Sequence, residues 1–350
     1  MVNVIQNINT PSGYSSWLFR VSTVLLLLLV GACSTEQDTV NNEDGTLVVL
    51  NKTDYTAMVI EMASHEIQAT LPTGVAPHEA DISPDGTLAV ASNYGEYDGD
   101  PGHTLTVINL ENNTDEKVID LGEYTRPHGL LWLDDGEHLV VTAEGKQALI
   151  VLHLPTEEIV TEIITDEERS HMVELTEDES RAFVANIDSG TMSVIDMVEE
   201  EVITTIETGD GAEGMDIAPD ESELWITNRY EDTISIIDLE TLEVTETLPA
   251  DGFPIRANFT PDGDYLLVAN MEGGDVTVFD VEERAEYTRI DLEPDSDDNA
   301  MPVGMLPIPD NQILVAGTQT DLLYKIDLDT FEIIDHIETG AEPDGMAFTQ

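Results

Sequence analysis

The chain has 350 residues, 41% of them apolar, and carries 73 acidic against 12 basic side chains for a formal net charge of −61. That charge argues against nucleic acid as a partner, because phosphate binding needs cations. A single cysteine excludes an intramolecular disulfide.

Near the N-terminus, Arg20 precedes an apolar run from Val24 to Val30 that ends in Gly31-Ala32-Cys33. A basic residue, a short apolar stretch and small residues describe an export signal. The run is too short for a mature membrane span, which needs about 20 residues. Val30-Gly31-Ala32-Cys33 resembles the bacterial lipobox. The resemblance implies that residues 1–32 are a removed signal peptide and that Cys33 is lipidated, which anchors an exported protein to the envelope membrane. Ser34 after the cysteine implies the outer membrane if the host is diderm. Residues 33–45 then read as the lipidated cysteine and an acidic, disordered tether. Extended, such a tether reaches about 40 Å at roughly 3.3–3.6 Å per residue.

From Thr46 onward the chain is repetitive. One unit is clearest in Glu213-Gly-Met-Asp-Ile-Ala-Pro, Glu223-Leu-Trp-Ile-Thr-Asn, Thr233-Ile-Ser-Ile-Ile-Asp and Val244-Thr-Glu-Thr-Leu. Each piece is short, β-branched and alternating, and turn residues separate the pieces, so four strands per unit are expected. The unit opens at Pro77, Pro127, Ser170, Ala212, Pro254, Pro302 and Pro343, with gaps of 41 to 50 residues. That period suits a four-stranded propeller blade. The second strand carries a mark, Val184-Ala-Asn, Ile226-Thr-Asn and Val268-Ala-Asn. The opening at Pro343 has no strands after it, and Thr46-Leu-Val-Val-Leu50 has no opening before it. Pairing the C-terminal strand with the N-terminal blade leaves no open sheet edge at the seam. The expected fold is all-β: a seven-bladed β-propeller spanning 46–350.

This repeat resembles the YVTN β-propeller repeat, and the body from Thr46 to Gln350 is similar to YncE-like bacterial propellers. The turns Pro84-Asp85-Gly86 and Pro261-Asp262-Gly263 fit that family, as does Ser193-Val194-Ile195-Asp196. Some members carry a haem d1-type label, but no Cys-x-x-Cys-His haem attachment motif occurs here.

Equivalent positions of a propeller form rings, so the residue after each opening defines one: Asp344, His78, His128, His171, Glu213, Ile255 and Val303. The next position adds Glu79 and Arg256, and four glycines, Gly129, Gly214, Gly304 and Gly345. Three of the eight histidines thus share one register. Three readings follow. Neutral imidazoles of His78, His128 and His171 with a carboxylate can hold a divalent transition metal. Protonated histidines with Arg256 can hold an anion. The same residues can also simply cap strand ends at a wet channel mouth. The glycines are expected to let a ligand approach the backbone.

Other segments carry less. The second unit holds an insertion from Asn93 to His103 that suits a lid, a recognition loop or a plain surface excursion. The acidic stretch from Glu293 to Asn299 lacks the glycine and terminal Glu of an EF-hand. Gly209-Asp-Gly211-Ala-Glu-Gly214 opens no helix and is no nucleotide motif. Acids spread through every segment, with only four lysines, read as a halophile's surface, whose self-repulsion falls when molar salt cuts the Debye length to about 3 Å.

The functional expectation is a monomeric recognition propeller at the cell envelope that binds a small molecule or an envelope protein at its channel mouth. The alternative is a lactonase-like hydrolase or lyase that uses the His/Glu/Arg ring.

Overall fold

The computed structural model describes residues 44–293 and 299–350. The chain divides after Thr39, and the described residues all belong to the second unit, Val40–Gln350. The export signal, Cys33, the tether up to residue 43 and residues 294–298 of the acidic loop lie outside the described residues. Among the described residues no helix is long and apolar enough to cross a membrane.

Seven four-stranded antiparallel sheets make up the fold. Blades two to seven take their strands in chain order and span 77–120, 127–164, 170–207, 212–249, 254–291 and 302–338. The first blade is composite, with strand order Pro343–Thr349, Thr46–Asn51, Thr56–Glu61 and Glu66–Pro72. Thr46 pairs with Thr349 and Val48 with Ala347, so the C-terminal strand supplies the inner edge of the N-terminal blade. The expected seven blades and their closure are both observed. The inner strands neighbour one another in cyclic order, from Pro77–Ile82 round to Pro343–Thr349.

Seven apolar clusters fill the seven seams between blades. Leu47, Met58, Leu314 and Leu323 lie in the seam of blades one and seven, and Val90, Leu105, Leu139 and Ile150 in that of blades two and three. The remaining five seams are filled in the same way. The closing seam is therefore as apolar as the others, and burial holds the ring shut at about 25 cal/mol per Å².

Two hydrogen-bond devices explain the repeat letters. Asn186, at the end of a second strand, donates through Nδ2 to Thr191 Oγ1 at 3.2 Å and Ser193 Oγ at 3.0 Å. Asn228 does the same to Thr233 and Ser235, and Asn93 to Thr104 and Thr106. Each of these asparagines is buried, so a side chain without donors would leave polar groups unpaired. In the Pro84-Asp85-Gly86 turn, the Asp85 carboxylate accepts from Ser83 Oγ at 2.7 Å and from Thr87 N at 3.0 Å.

A third device aims the channel residues. The residue entering each inner strand is Ala76, Arg126, Arg169, Gly211, Phe253, Met301 or Glu342, and all seven have φ between +49° and +84°. Left-handed backbone costs a non-glycine residue about 1–2 kcal/mol. A hydrogen bond offsets that cost. The carbonyl of each entry residue accepts the N–H of the residue one past the asparagine position of a second strand, as in Lys52 to Glu342, Tyr94 to Ala76 and Arg229 to Gly211.

Candidate functional site

The second residue of every inner strand faces one cavity of about 390 Å³ on the ring axis. His78, His128, His171, Glu213, Arg256 and Asp344 all line it, with Ile255 and Val303 forming an apolar side. Glu79 lies one step deeper and lines a second space of about 260 Å³ further along the channel. Six of the seven expected residues thus converge on one space, and the seventh touches it through Arg256.

That contact is an ion pair between Glu79 Oε1 and Arg256 Nη2. The second and sixth blades are not neighbours, so this pair bridges the channel and separates its two spaces. Burial lifts the Glu79 carboxyl above its usual range, and Arg256 pulls it back only in part.

His171 is held between two carboxylates. Glu144 Oε1 meets its Nδ1, and Glu213 Oε1 stands 3.4 Å from its Nε2. Burial by itself would strip the proton, yet bonds and charges from Glu144 and Glu213 outweigh it and raise the imidazole above its ordinary value. His171 therefore holds its proton more tightly than a free imidazole does. His128 stacks on it with ring centroids 3.5 Å apart. Burial, with the adjacent His171 charge, drives His128 well below its ordinary value, so it is neutral. Its Nδ1 has no hydrogen-bond partner, and Glu79 Oε1 is 3.9 Å away. His78 is also neutral, pushed down to about 4 chiefly by burial, and its Nδ1 meets the Ala76 carbonyl at 2.9 Å.

For the expected metal, the side-chain placement is specific. Among the described residues no group of three or more His, Cys, Asp or Glu is arranged to hold a metal ion. His78 meets His128 edge-on, His128 stacks on His171, and Glu144 and Glu213 already grip His171.

The glycine expectation needs correction. A Cβ on Gly214 would lie 2.4 Å from the Ile255 carbonyl oxygen, and one on Gly345 would lie 2.2 Å from that of His78. Gly129 and Gly304 face the backbone of His171 and Asp344 in the same way. These glycines admit the neighbouring inner strand, not a ligand, because seven strands crowd one narrow axis.

Several site residues fell outside the sequence reading. Lys52, Glu144 and Arg229 each follow a second strand, and Arg169 enters an inner strand. The signal was available one letter beyond the asparagine mark, in Asn51-Lys52 and Asn228-Arg229. Lys52 pairs with Asp344 at 3.2 Å, and the Asp344 charge raises the lysine above its ordinary value against burial. Arg229 pairs with Glu213, donates to Tyr230 OH at 2.8 Å and leaves its buried Nε without a partner. Four of the chain's twelve cations, Lys52, Arg169, Arg229 and Arg256, therefore line this one cavity.

Deeper in the channel, the fifth inner-strand position places Asp81, Glu174 and Asp216. Asp81 accepts from Trp132 N and Asp216 from Phe259 N, each at 2.7 Å, so both brace the next blade. Burial pushes Asp81 up to about 6 and Asp216 up to about 7, despite those bonds.

The molecule is thus a seven-bladed β-propeller with a charged, ring-lined cavity on its axis. Residues 198–295, less than a third of the chain, match the family described as YNCE-like beta-propeller. Among solved structures it is similar to Kuenenia stuttgartiensis hydrazine synthase, at 17% identity and a TM-score of 0.64, over 85% of this chain and 93% of that one. It is also similar to dihydro-heme d1 dehydrogenase NirN in complex with DHE, at 14% identity and a TM-score of 0.63, over 87% of this chain and 75% of that one. Likeness at these identities is a likeness of fold. No curated protein matches the sequence.

Proposed function

We propose that this chain is an envelope-anchored recognition propeller that binds a small organic anion at its channel mouth. One observation carries the reading. A chain of net charge −61 places four of its twelve cations around a single cavity. Elsewhere its surface would repel an anion, so this clustering focuses the attraction at one point. The buried acids beside the cations hold them in position. The apolar side formed by Ile255 and Val303 favours an organic body over a bare inorganic ion. Cys33, as the lipidated anchor, would hold the propeller at the membrane surface.

Calorimetric titration of the purified protein with small mono- and dicarboxylates tests the proposal. Saturable binding that is lost in Arg256→Ala/Lys52→Ala supports it. Equal heats from the protein and the double variant would refute it.

A second reading is turnover of the bound ligand, as hydrolase or lyase. It is favoured by the neutral His128 stacked against the more tightly protonated His171, two titratable groups driven apart by their surroundings. Release of product from a lactone, lost in His128→Gln, is the result this reading requires.

A further inference from the structure

We infer that the cavity takes an aromatic carboxylate, and that Tyr97, on the long hairpin of the second blade, selects its ring. The inference rests on the anion-binding reading above and narrows it to a ligand class.

The hairpin is built for reach. Its strands, Leu88–Gly95 and Pro101–Asn109, run to 8 and 9 residues, where the equivalent strands of the fourth and fifth blades have 6. The extra length carries Tyr97 to the cavity, which it lines while remaining 69% exposed. The backbone beneath the ring is fixed. Arg126 donates to the carbonyls of Glu96 and Tyr97 at 3.3 and 3.1 Å. Gly95 has φ of +87°, and a Cβ there would sit 2.0 Å from Gly102 N, so the turn closes tightly. A braced backbone that displays an exposed aromatic ring is preorganised for stacking, because little freedom is left to lose on binding.

A cation lies over each ring. The Arg169 guanidinium lies 5.7 Å from the Tyr97 centroid, and its carboxylate partners Glu144 and Asp188 are no nearer than 3.5 Å. Tyr230, 53% exposed, stands on the other side of the cavity with the Arg229 guanidinium 4.8 Å from its centroid. A planar ring against Tyr97 thus brings an attached carboxylate to a guanidinium, whose fork matches it in two hydrogen bonds. The cavity's 390 Å³ is at the small end of the ligand-pocket range, about 300–1,000 Å³, which suits one or two fused rings. Stacking is also insensitive to salt, whereas long-range attraction vanishes at molar ionic strength.

The test is titration calorimetry of the purified protein in about 2 M KCl. The planar probes are benzoate and 1-naphthoate, and the controls are cyclohexanecarboxylate and succinate. 1-Naphthoate should bind about tenfold more tightly than cyclohexanecarboxylate, a difference of the size aromatic contacts supply. Tyr97→Ala should lose about that factor for 1-naphthoate and less than about twofold for cyclohexanecarboxylate, and Tyr97→Phe should retain both. Tyr97 sits on an exposed turn, and unchanged circular dichroism of the variant establishes that it folds. Equal affinities for planar and non-planar carboxylates, or equal losses in Tyr97→Ala, would overturn aromatic selection and leave anion binding standing. No binding of any of the four would overturn both.

Discussion

Lys52 Nζ lies 3.2 Å from Asp344 Oδ2, although 292 residues separate them along the chain. The pair joins the first strand's exit to the last strand's entry, so one interaction belongs both to the ring's closure and to the cavity. Its neighbours in the seam are the strand pairs of Thr46–Asn51 with Pro343–Thr349.

Loss of this pair should loosen the seam. Breaking a fully buried pair costs about 3–5 kcal/mol, but Lys52 is a quarter exposed, so Asp344→Asn should cost about 1–2 kcal/mol. Thermal unfolding should show a fall in Tm of about 2–3 °C. Removing residues 343–350 should do far more, because the blade would lose its inner strand and bare an edge. A truncated chain that melts with the intact one would refute the closure argument.

Glu79 and Arg256 should behave as a unit. Arg256→Ala leaves the Glu79 carboxylate in a closed space without its partner and should cost about 3–5 kcal/mol. The double variant Glu79→Leu/Arg256→Met should recover most of that loss, since apolar pairs of like volume replace buried ion pairs at little cost. Urea unfolding of the singles and the double closes the cycle, and a double variant less stable than Arg256→Ala would exclude bridging of the channel by this pair.

The pH response should contain two opposing parts. His78, with a folded pKa near 4 against 6.5, favours the fold fully above pH 6.5, and that contribution is lost as pH falls towards 4. Asp81 and Asp216, with folded values near 6 and 7 against 3.8, favour the fold fully below pH 3.8. Their contribution is lost as pH rises through 6 to 7. His78→Gln should therefore gain on the parent as pH drops from 6.5 to 4, by up to about 3 kcal/mol. Asp216→Asn should flatten the decline towards neutrality. Denaturation midpoints across pH 4–8 decide both, and parallel curves for parent and His78→Gln would contradict the buried neutral imidazole.

Salt should stabilise the protein strongly. With 73 acids against 12 bases, self-repulsion opposes the folded state until counterions screen it. Raising KCl from about 0.2 to 3 M shortens the Debye length from roughly 7 Å to below 3 Å. Tm should climb through that range. A Tm independent of KCl would remove the halophilic reading of the surface.

The fold was legible because its information is local and repeated. The asparagine mark of Val184-Ala-Asn and the turn Pro84-Asp85-Gly86 name hydrogen bonds that each blade makes within itself. The ring of second positions was legible for the same reason, and His78, His128 and His171 do meet, His78 edge-on to His128 and His128 stacked on His171. Glu144 and Arg169 were not. Their blades depart from the asparagine mark or place the cation before the opening, so register did not point to them.

By itself, the sequence determined the count of blades, the composite closure through Pro343–Thr349 and the ring of second inner-strand residues. Those follow from a repeat whose copies rotate about one line, so position in the repeat becomes position in the ring. Only the tertiary structure decided which partner each charge took, how the imidazoles differ in their hold on a proton, and that four glycines serve strand packing. Such choices depend on distances across the channel, between blades such as the second and sixth that share no strand pairing. Electrostatic energies change steeply over those few ångströms, and register carries no measure of them.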